Sequence, residues 1–177
     1  QTQKVDAETP LFRLPLEVRF RVGGKDVTFP LEIKEPGEVF YFPLESEPTQ
    51  AIFDTGHHVL KRADVEKPRP LWLAELASAS DAIDRMEAAR ALHRHLSSDV
   101  VTALEKSLQK DGFWGVRAAA AEALGQHRTT AARDALVRAL GSTENPKARR
   151  AVAKALGEFR HDEEAAVALE KVVRTGD

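Results

Sequence analysis

The sequence contains no cysteine. That excludes a disulfide framework, a thiolate nucleophile and thiolate metal ligands, and it leaves reducing and oxidising compartments equally open. Excess charge of one sign is also lacking, since 26 Lys and Arg stand against 28 Asp and Glu, for a net charge of −2 at pH 7. The basic footprint of a nucleic-acid binder is therefore missing, and no nucleic-acid partner is expected. No apolar run approaches the roughly 20 residues that span a bilayer, and Gln1-Thr2-Gln3-Lys4 has no apolar signal core, so no membrane partner is expected either. Reactive motifs are absent as well. No His is followed by Glu, which removes the His-Glu-x-x-His zinc helix, and there is no Gly-x-Ser-x-Gly elbow. Gly23-Gly24 stands alone and builds no phosphate loop. The expectation is a chain without catalytic, cofactor or metal residues of its own. It begins without Met and soon enters strand-like sequence, which suggests a piece of a longer polypeptide.

What is present divides into two halves with different periods. Leu14, Leu16, Val18, Phe20 and Val22 alternate with Pro15, Glu17, Arg19 and Arg21, the signature of a half-buried strand. Gly23-Gly24-Lys25-Asp26 supplies a turn, and Val27, Phe29, Leu31 and Ile33 alternate again, predicting a hairpin. Third and fourth runs follow at Val39 to Leu44 and Gln50 to Phe53, with Pro43 and Pro48 at strand ends or edges. Lys67-Pro68-Arg69-Pro70 is a natural joint, because proline lacks an N–H and disfavours helix in the residue before it. From Trp72 onward Ala and Leu dominate and the period becomes helical. The reading is α+β in two parts: a small antiparallel β-sandwich over residues 1–67, then an α-solenoid of helical hairpins over 68–177.

The helical half repeats itself every 32 residues. Leu92, Leu124 and Leu156 share this offset, as do Ala89, Ala121 and Ala153, Ala91, Ala123 and Ala155, and Arg85, Arg117 and Arg149. A second set, Trp72, Leu104 and Leu136 together with Leu76, Leu108, Leu140 and Val172, belongs to the partner helix of each unit. Ser98, Thr130 and Asp162 are candidate N-caps, Asn145-Pro146 is an N-cap followed by Pro at N1, and Gly125, Gly141 and Gly157 fit C′ positions. One short hairpin cannot bury its apolar face, whereas stacked copies bury a continuous core.

Several residues are candidate sites. His93-x-His95 resembles a ligand pair, but residues two apart on a helix point about 200° apart, and both sit at a helix end where a cation suits the dipole. His57-His58 reads as a surface pair beside a turn, and His127 and His161 as loop filling after helix ends. Asp162-Glu163-Glu164 opens a helix, where acids suit the macrodipole. Trp114, beside Phe113 and Gly115, either marks a ligand surface or fills a junction between helices. The most suggestive feature is Arg85, Arg117 and Arg149, which stack into a ladder that either binds acidic groups or bridges neighbouring repeats.

Two resemblances follow from particular segments. Val116 to Gly125 (Val-Arg-Ala-Ala-Ala-Ala-Glu-Ala-Leu-Gly) and Ala148 to Gly157 resemble HEAT repeats of the short phycobilisome-lyase type, over Trp72 to the end. The first half, with Gln1-Thr2-Gln3, Leu11 to Val18, Phe40-Tyr41-Phe42-Pro43-Leu44 and Ile52-Phe53-Asp54, resembles the β-sandwich domain of aminopeptidase-N-like (gluzincin) zinc metallopeptidases. That resemblance implies a C-terminal sandwich-plus-helical module that shapes or closes a substrate cavity. Its partners would be an upstream catalytic domain of the same polypeptide, carrying zinc, and a peptide substrate. None of the family's zinc-binding residues maps onto this sequence, and Arg85-Met86-Glu87 departs from its Gly-x-Met-Glu-Asn segment. The rival expectation is a HEAT-repeat scaffold or adaptor that binds a protein partner; a third is a family member that has lost its zinc ligands and serves in assembly.

Overall fold

The structure, a computed structural model, describes residues 12–61 and 63–175. The Gln1-Thr2-Gln3 opening and Leu11 lie outside the described residues. The chain forms two compact units that divide between Lys67 and Pro68.

In the first unit, β1 (Leu14–Val22) and β2 (Lys25–Ile33) form an antiparallel hairpin in the register Leu14 to Ile33 and Val22 to Lys25. The two linking residues, Gly23 (φ 56°) and Gly24 (φ 79°), both take the left-handed backbone that a two-residue hairpin turn requires. β3 (Gln50–Phe53) pairs antiparallel with the other edge of β1, giving the order β2-β1-β3. Leu16, Val18, Ile33 and Ile52 are its buried apolar residues.

The expected run at Val39 to Leu44 forms no strand. Val39 and Tyr41 are 76% and 90% exposed, while the Phe42 ring packs on Phe20 and Phe29 with centroids 5.1 and 5.3 Å apart. Both edges of β1 are already taken, and Pro30 in β2 and Pro43 in the run each remove a donor that further pairing would need. The segment is instead anchored by one aromatic side chain. Among the described residues there is one three-stranded sheet and no second layer of strands, so the expected β-sandwich is corrected to a single small sheet.

The turn after β3 is held by Asp54, whose side chain is almost fully buried. Its carboxylate accepts hydrogen bonds from the N–H groups of His58 and Val59, both at 3.2 Å, and from the Lys61 ammonium. Burial alone pushes this carboxyl up, but the Lys61 ammonium and the two N–H groups outweigh burial and hold it below the usual carboxylate range.

The second unit is entirely helical: α1 (Arg69–Ser78), α2 (Ala82–Ala91) ending in a 3-10 turn at Leu92–Arg94, α3 (Ser98–Lys110), α4 (Trp114–His127), α5 (Thr130–Ser142), α6 (Pro146–Leu156) and α7 (Glu163–Thr175). α1/α2, α3/α4 and α5/α6 are three hairpins, and α7 stands where a fourth would begin. The 32-residue register appears directly in burial, since Leu92, Leu124 and Leu156 are all 0% exposed. Trp72, Leu104 and Leu136 are likewise buried on α1, α3 and α5. α4 is the hub: it packs on α3 within its own hairpin and on α2, α5 and α6 of its neighbours.

Close packing of the second helices depends on small residues. A Cβ placed on Gly125 would lie 3.0 Å from both Cα and Cβ of Ala155 on α6. Gly125 and Gly141 are thus inside α4 and α5 rather than at the expected C′ positions; only Gly157 caps a helix, and it does so with a right-handed φ of −62°. Thr129 and Ser97, each one residue before the expected cap, precede α5 and α3. Asn145 caps α6, accepting from the N–H groups of Lys147 and Ala148, and Pro146 occupies N1. Asp162 caps α7 by accepting from the Ala165 N–H at 3.0 Å. No helix among the described residues is long and apolar enough to cross a membrane.

Gly125→Val, which forces α4 away from α6, should cost about 1–3 kcal/mol. Gly141→Ala, with no atom within 4 Å of its added Cβ, should be neutral or stabilising by up to about 1 kcal/mol; urea titration of the two variants checks both. For Asp54→Asn, stability of the first unit should fall at neutral pH. Because the folded carboxyl is held below its unfolded value of about 3.9, the wild-type advantage is full above that value. It should fade as the pH drops through the lower folded value. Strand-amide exchange measured against pH checks this, and an advantage independent of pH would contradict the assignment.

Candidate functional site

Arg85, Arg117 and Arg149 each occupy the fourth position of the second helix of a hairpin, in α2, α4 and α6. Each lines a cavity at the junction with the following helices, and the three cavities repeat in register. The first, of about 430 Å³, is lined by Leu76, Arg85 and Asp111. The second, of about 500 Å³, has Leu108, Arg117 and Thr143 at the equivalent positions. The third, of about 700 Å³, has Leu140 and Arg149 and is more apolar, with Val137, Val167 and Val172.

The three arginines differ in what they meet. Arg85 is held at all three nitrogens: Nε and Nη2 donate to the two oxygens of Asp111 at 2.8 and 3.1 Å, and Nη1 donates to the Ala79 and Ser80 carbonyls at 2.8 and 3.1 Å. This bidentate pair crosses from the first hairpin to the second. Asp111 also accepts from the Phe113 N–H at 2.9 Å. Burial pushes the Asp111 carboxyl up, but the Arg85 guanidinium and this N–H outweigh it and hold the group below the usual carboxylate range. Arg117 and Arg149 each have a buried Nε with no hydrogen-bond partner among the described residues. The position 32 residues after Asp111 is Thr143, whose hydroxyl donates to the Ala139 carbonyl at 2.7 Å. The sequence thus brings the arginines into one register, and the structure divides them into one that bridges repeats and two that do not.

Other candidates are structural. His93 lies 2.6 Å through Nδ1 from the Arg90 carbonyl, and His95 follows the 3-10 turn as its C-cap. His127, read from sequence as loop filling, is instead the buried last residue of α4, with Nε2 3.2 Å from the Leu92 carbonyl of the preceding hairpin; burial lowers its basicity. His161 takes a left-handed φ of 65° between helices. Trp114 and Phe113 pack on each other at 5.6 Å, and the Lys147 ammonium of α6 lies 4.7 Å over the Trp114 ring, so this pair sits at a junction between hairpins. Asp162 and Glu164 engage Arg133 of α5 at 2.9 Å each. Sequence reasoning missed that arginine, which lies off the 32-residue register. No group of three or more His, Asp or Glu among the described residues is placed to hold a metal ion.

Comparison with known proteins agrees with this geometry. The family model for HEAT repeats matches residues 69–142 and again 101–177. The chain belongs to the HEAT-repeat family. Among solved structures, it is similar to a chain in the complex of CpcE and CpcF of phycocyanin lyase from Nostoc sp. PCC7120, at 28% identity and a TM-score of 0.54. The match covers 66% of this chain and 46% of that one, so this HEAT-repeat chain spans less than half of its neighbour's length. No curated protein matches the sequence.

These findings overturn the aminopeptidase-N-like resemblance and the module function drawn from it. The segments behind it map onto strands β1 and β3 of one small sheet, an irregular aromatic stretch and residues outside the described range, not onto a sandwich. The upstream zinc-bearing catalytic domain and the peptide substrate lose their basis with it. The scaffold expectation fits the HEAT family and a neighbour found in a two-subunit complex.

In a double-mutant cycle, Arg85→Ala and Asp111→Ala should couple by about 1–3 kcal/mol. Arg117→Ala should change stability by no more than about 0.5 kcal/mol. The Arg85–Asp111 contribution should be complete above about pH 3.9 and vanish as the pH falls through Asp111's lower folded value. Thermal unfolding of the four variants across pH 2 to 7, about the range over which carboxylates titrate, checks all three.

Proposed function

We propose that the helical unit is a binding scaffold whose partner is another protein, and that the chain contributes surface and geometry rather than a reaction. The observation that supports this most is the recurrence of an arginine-lined cavity at the repeat period, two of the three with a guanidinium nitrogen left unpaired. A hairpin array presents equivalent positions at fixed intervals, which suits an extended partner better than a small substrate. The HEAT family supports the reading, as does the resemblance to a chain solved within a complex of two subunits.

That neighbour suggests a second form of the same reading, in which the chain is one subunit of a two-subunit assembly. Its lyase activity is not carried over, because the match covers 46% of the neighbour's chain.

The test is to cross-link and purify the tagged chain from its own cells, identify what co-purifies, and mix the separately purified proteins. Light scattering should report a complex of defined stoichiometry with a Kd of about micromolar or tighter, and amide exchange should show protection confined to residues 68–177. Failure to reconstitute any complex, or protection confined to the β unit, would contradict the scaffold reading.

A further inference from the structure

The first repeat contains its own model of what the second repeat lacks. Around Arg85 the charge is met from within: Asp111, from the turn between α3 and α4 of the next hairpin, delivers a carboxylate in a two-point fit to the guanidinium. One repeat later the arginine, the neighbouring leucine and the cavity are all kept, but the residue in the Asp111 position is Thr143. Arg117 Nε is buried with no partner, and Asp111, the carboxylate whose charge reaches it, is held by Arg85. Arg117 also stands in the first turn of α4, at the positive end of the helix dipole, where a cation is unfavourable unless an anion is close.

The remaining lining does not supply that anion. Asn145 is occupied in capping α6, and the Ser142 hydroxyl donates to backbone carbonyls of its own helix. Glu144 is exposed and makes no ion pair with Arg117 among the described residues. The third cavity is less open to this reading, because Glu163 and Glu164 already line it.

We propose that the cavity at Arg117 is a docking site for a carboxylate side chain, Asp or Glu, of a protein partner, which takes the place that Asp111 fills in the first repeat. This rests on the scaffold reading and names the chemistry of its contact. The commitment to a partner side chain rather than a free anion comes from the cavity itself. At about 500 Å³ it is larger than one carboxylate needs and leaves room for the side chain that carries it, and its counterpart in the first repeat is met by a side-chain carboxylate rather than a free anion.

The experiment uses the full chain and follows the arginine Nε–Hε resonances by NMR while adding a blocked tetraglutamate peptide, a blocked tetraglutamine peptide, acetate or inorganic phosphate. The tetraglutamate peptide should shift the Arg117 signal and leave Arg85 unmoved, and tetraglutamine should do nothing. Thr143→Asp rebuilds the first repeat's pair in the second, so it should raise the Tm and weaken the peptide by about tenfold or more. Arg117→Gln should abolish the shift with the fold intact by circular dichroism.

An unshifted Arg117, or binding unchanged by Thr143→Asp, would overturn the proposal. Acetate or phosphate binding as tightly as the peptide would also overturn it, leaving a small-anion site. If the partner complex forms and is unaffected by Thr143→Asp, this inference fails while the scaffold reading stands. If Arg117 takes the peptide but no partner complex can be reconstituted, the scaffold reading fails and this inference fails with it.

Discussion

Helical hairpins of this size have no interior of their own. The residues that would form one, the leucine at the end of each second helix and the alanines before it, become buried only when the next hairpin closes over them. That closure is limited by how near the second helices can come. At the α4–α6 crossing a glycine faces an alanine backbone, and there is no room at Gly125 for an ordinary Cβ. The Ala-rich composition of the helical half follows from this constraint: alanine favours helix and keeps the flank thin. α4, with neighbours on all sides, carries the deepest burial, whereas α7 exposes Val167 and Val173.

The same geometry that makes the core continuous makes the surface periodic. Arg85 and Arg117, each in the first turn of a second helix, face the turn inside the next hairpin, so the arginine recurs in the same environment while the turn residue is free to vary. With Asp111 in one turn and Thr143 in the next, one ladder arginine is clamped and another is left with an unpaired buried Nε. Arg133, outside that register, performs the clamp between α5 and α7 through Asp162 and Glu164. A single turn residue thus decides whether a ladder arginine ties neighbouring hairpins together.

Much of the helical unit was legible because its signals are redundant. Leu92, Leu124 and Leu156, the alanines before them and Asn145-Pro146 all point to the same phase, and burial agrees. The misplacements have local causes. Gly125 and Gly141 look like helix ends because glycine favours C′ positions, but here one is small to admit α6 and both lie within helices. The β unit was harder because a short run such as Val39 to Leu44 has the composition of a strand whether or not a neighbouring edge is free to pair with it. Phe42 needs only its ring to be anchored. The aminopeptidase resemblance failed for the same reason: short β-rich segments recur in unrelated folds, whereas a 32-residue period sustained over three hairpins does not. At the site, the arginine register was visible in the sequence. The difference between filled and vacant positions was not, because it depends on which loop residue lies opposite.

Contacts between hairpins hold the helical unit together, with α4 as its hub. Native-state amide exchange on the full chain tests this most directly. Protection should be greatest in α4, intermediate in its neighbours α3, α5 and α6, and least in α1 and α7. Equal protection from α1 to α7, or slowest exchange at either end, would contradict it.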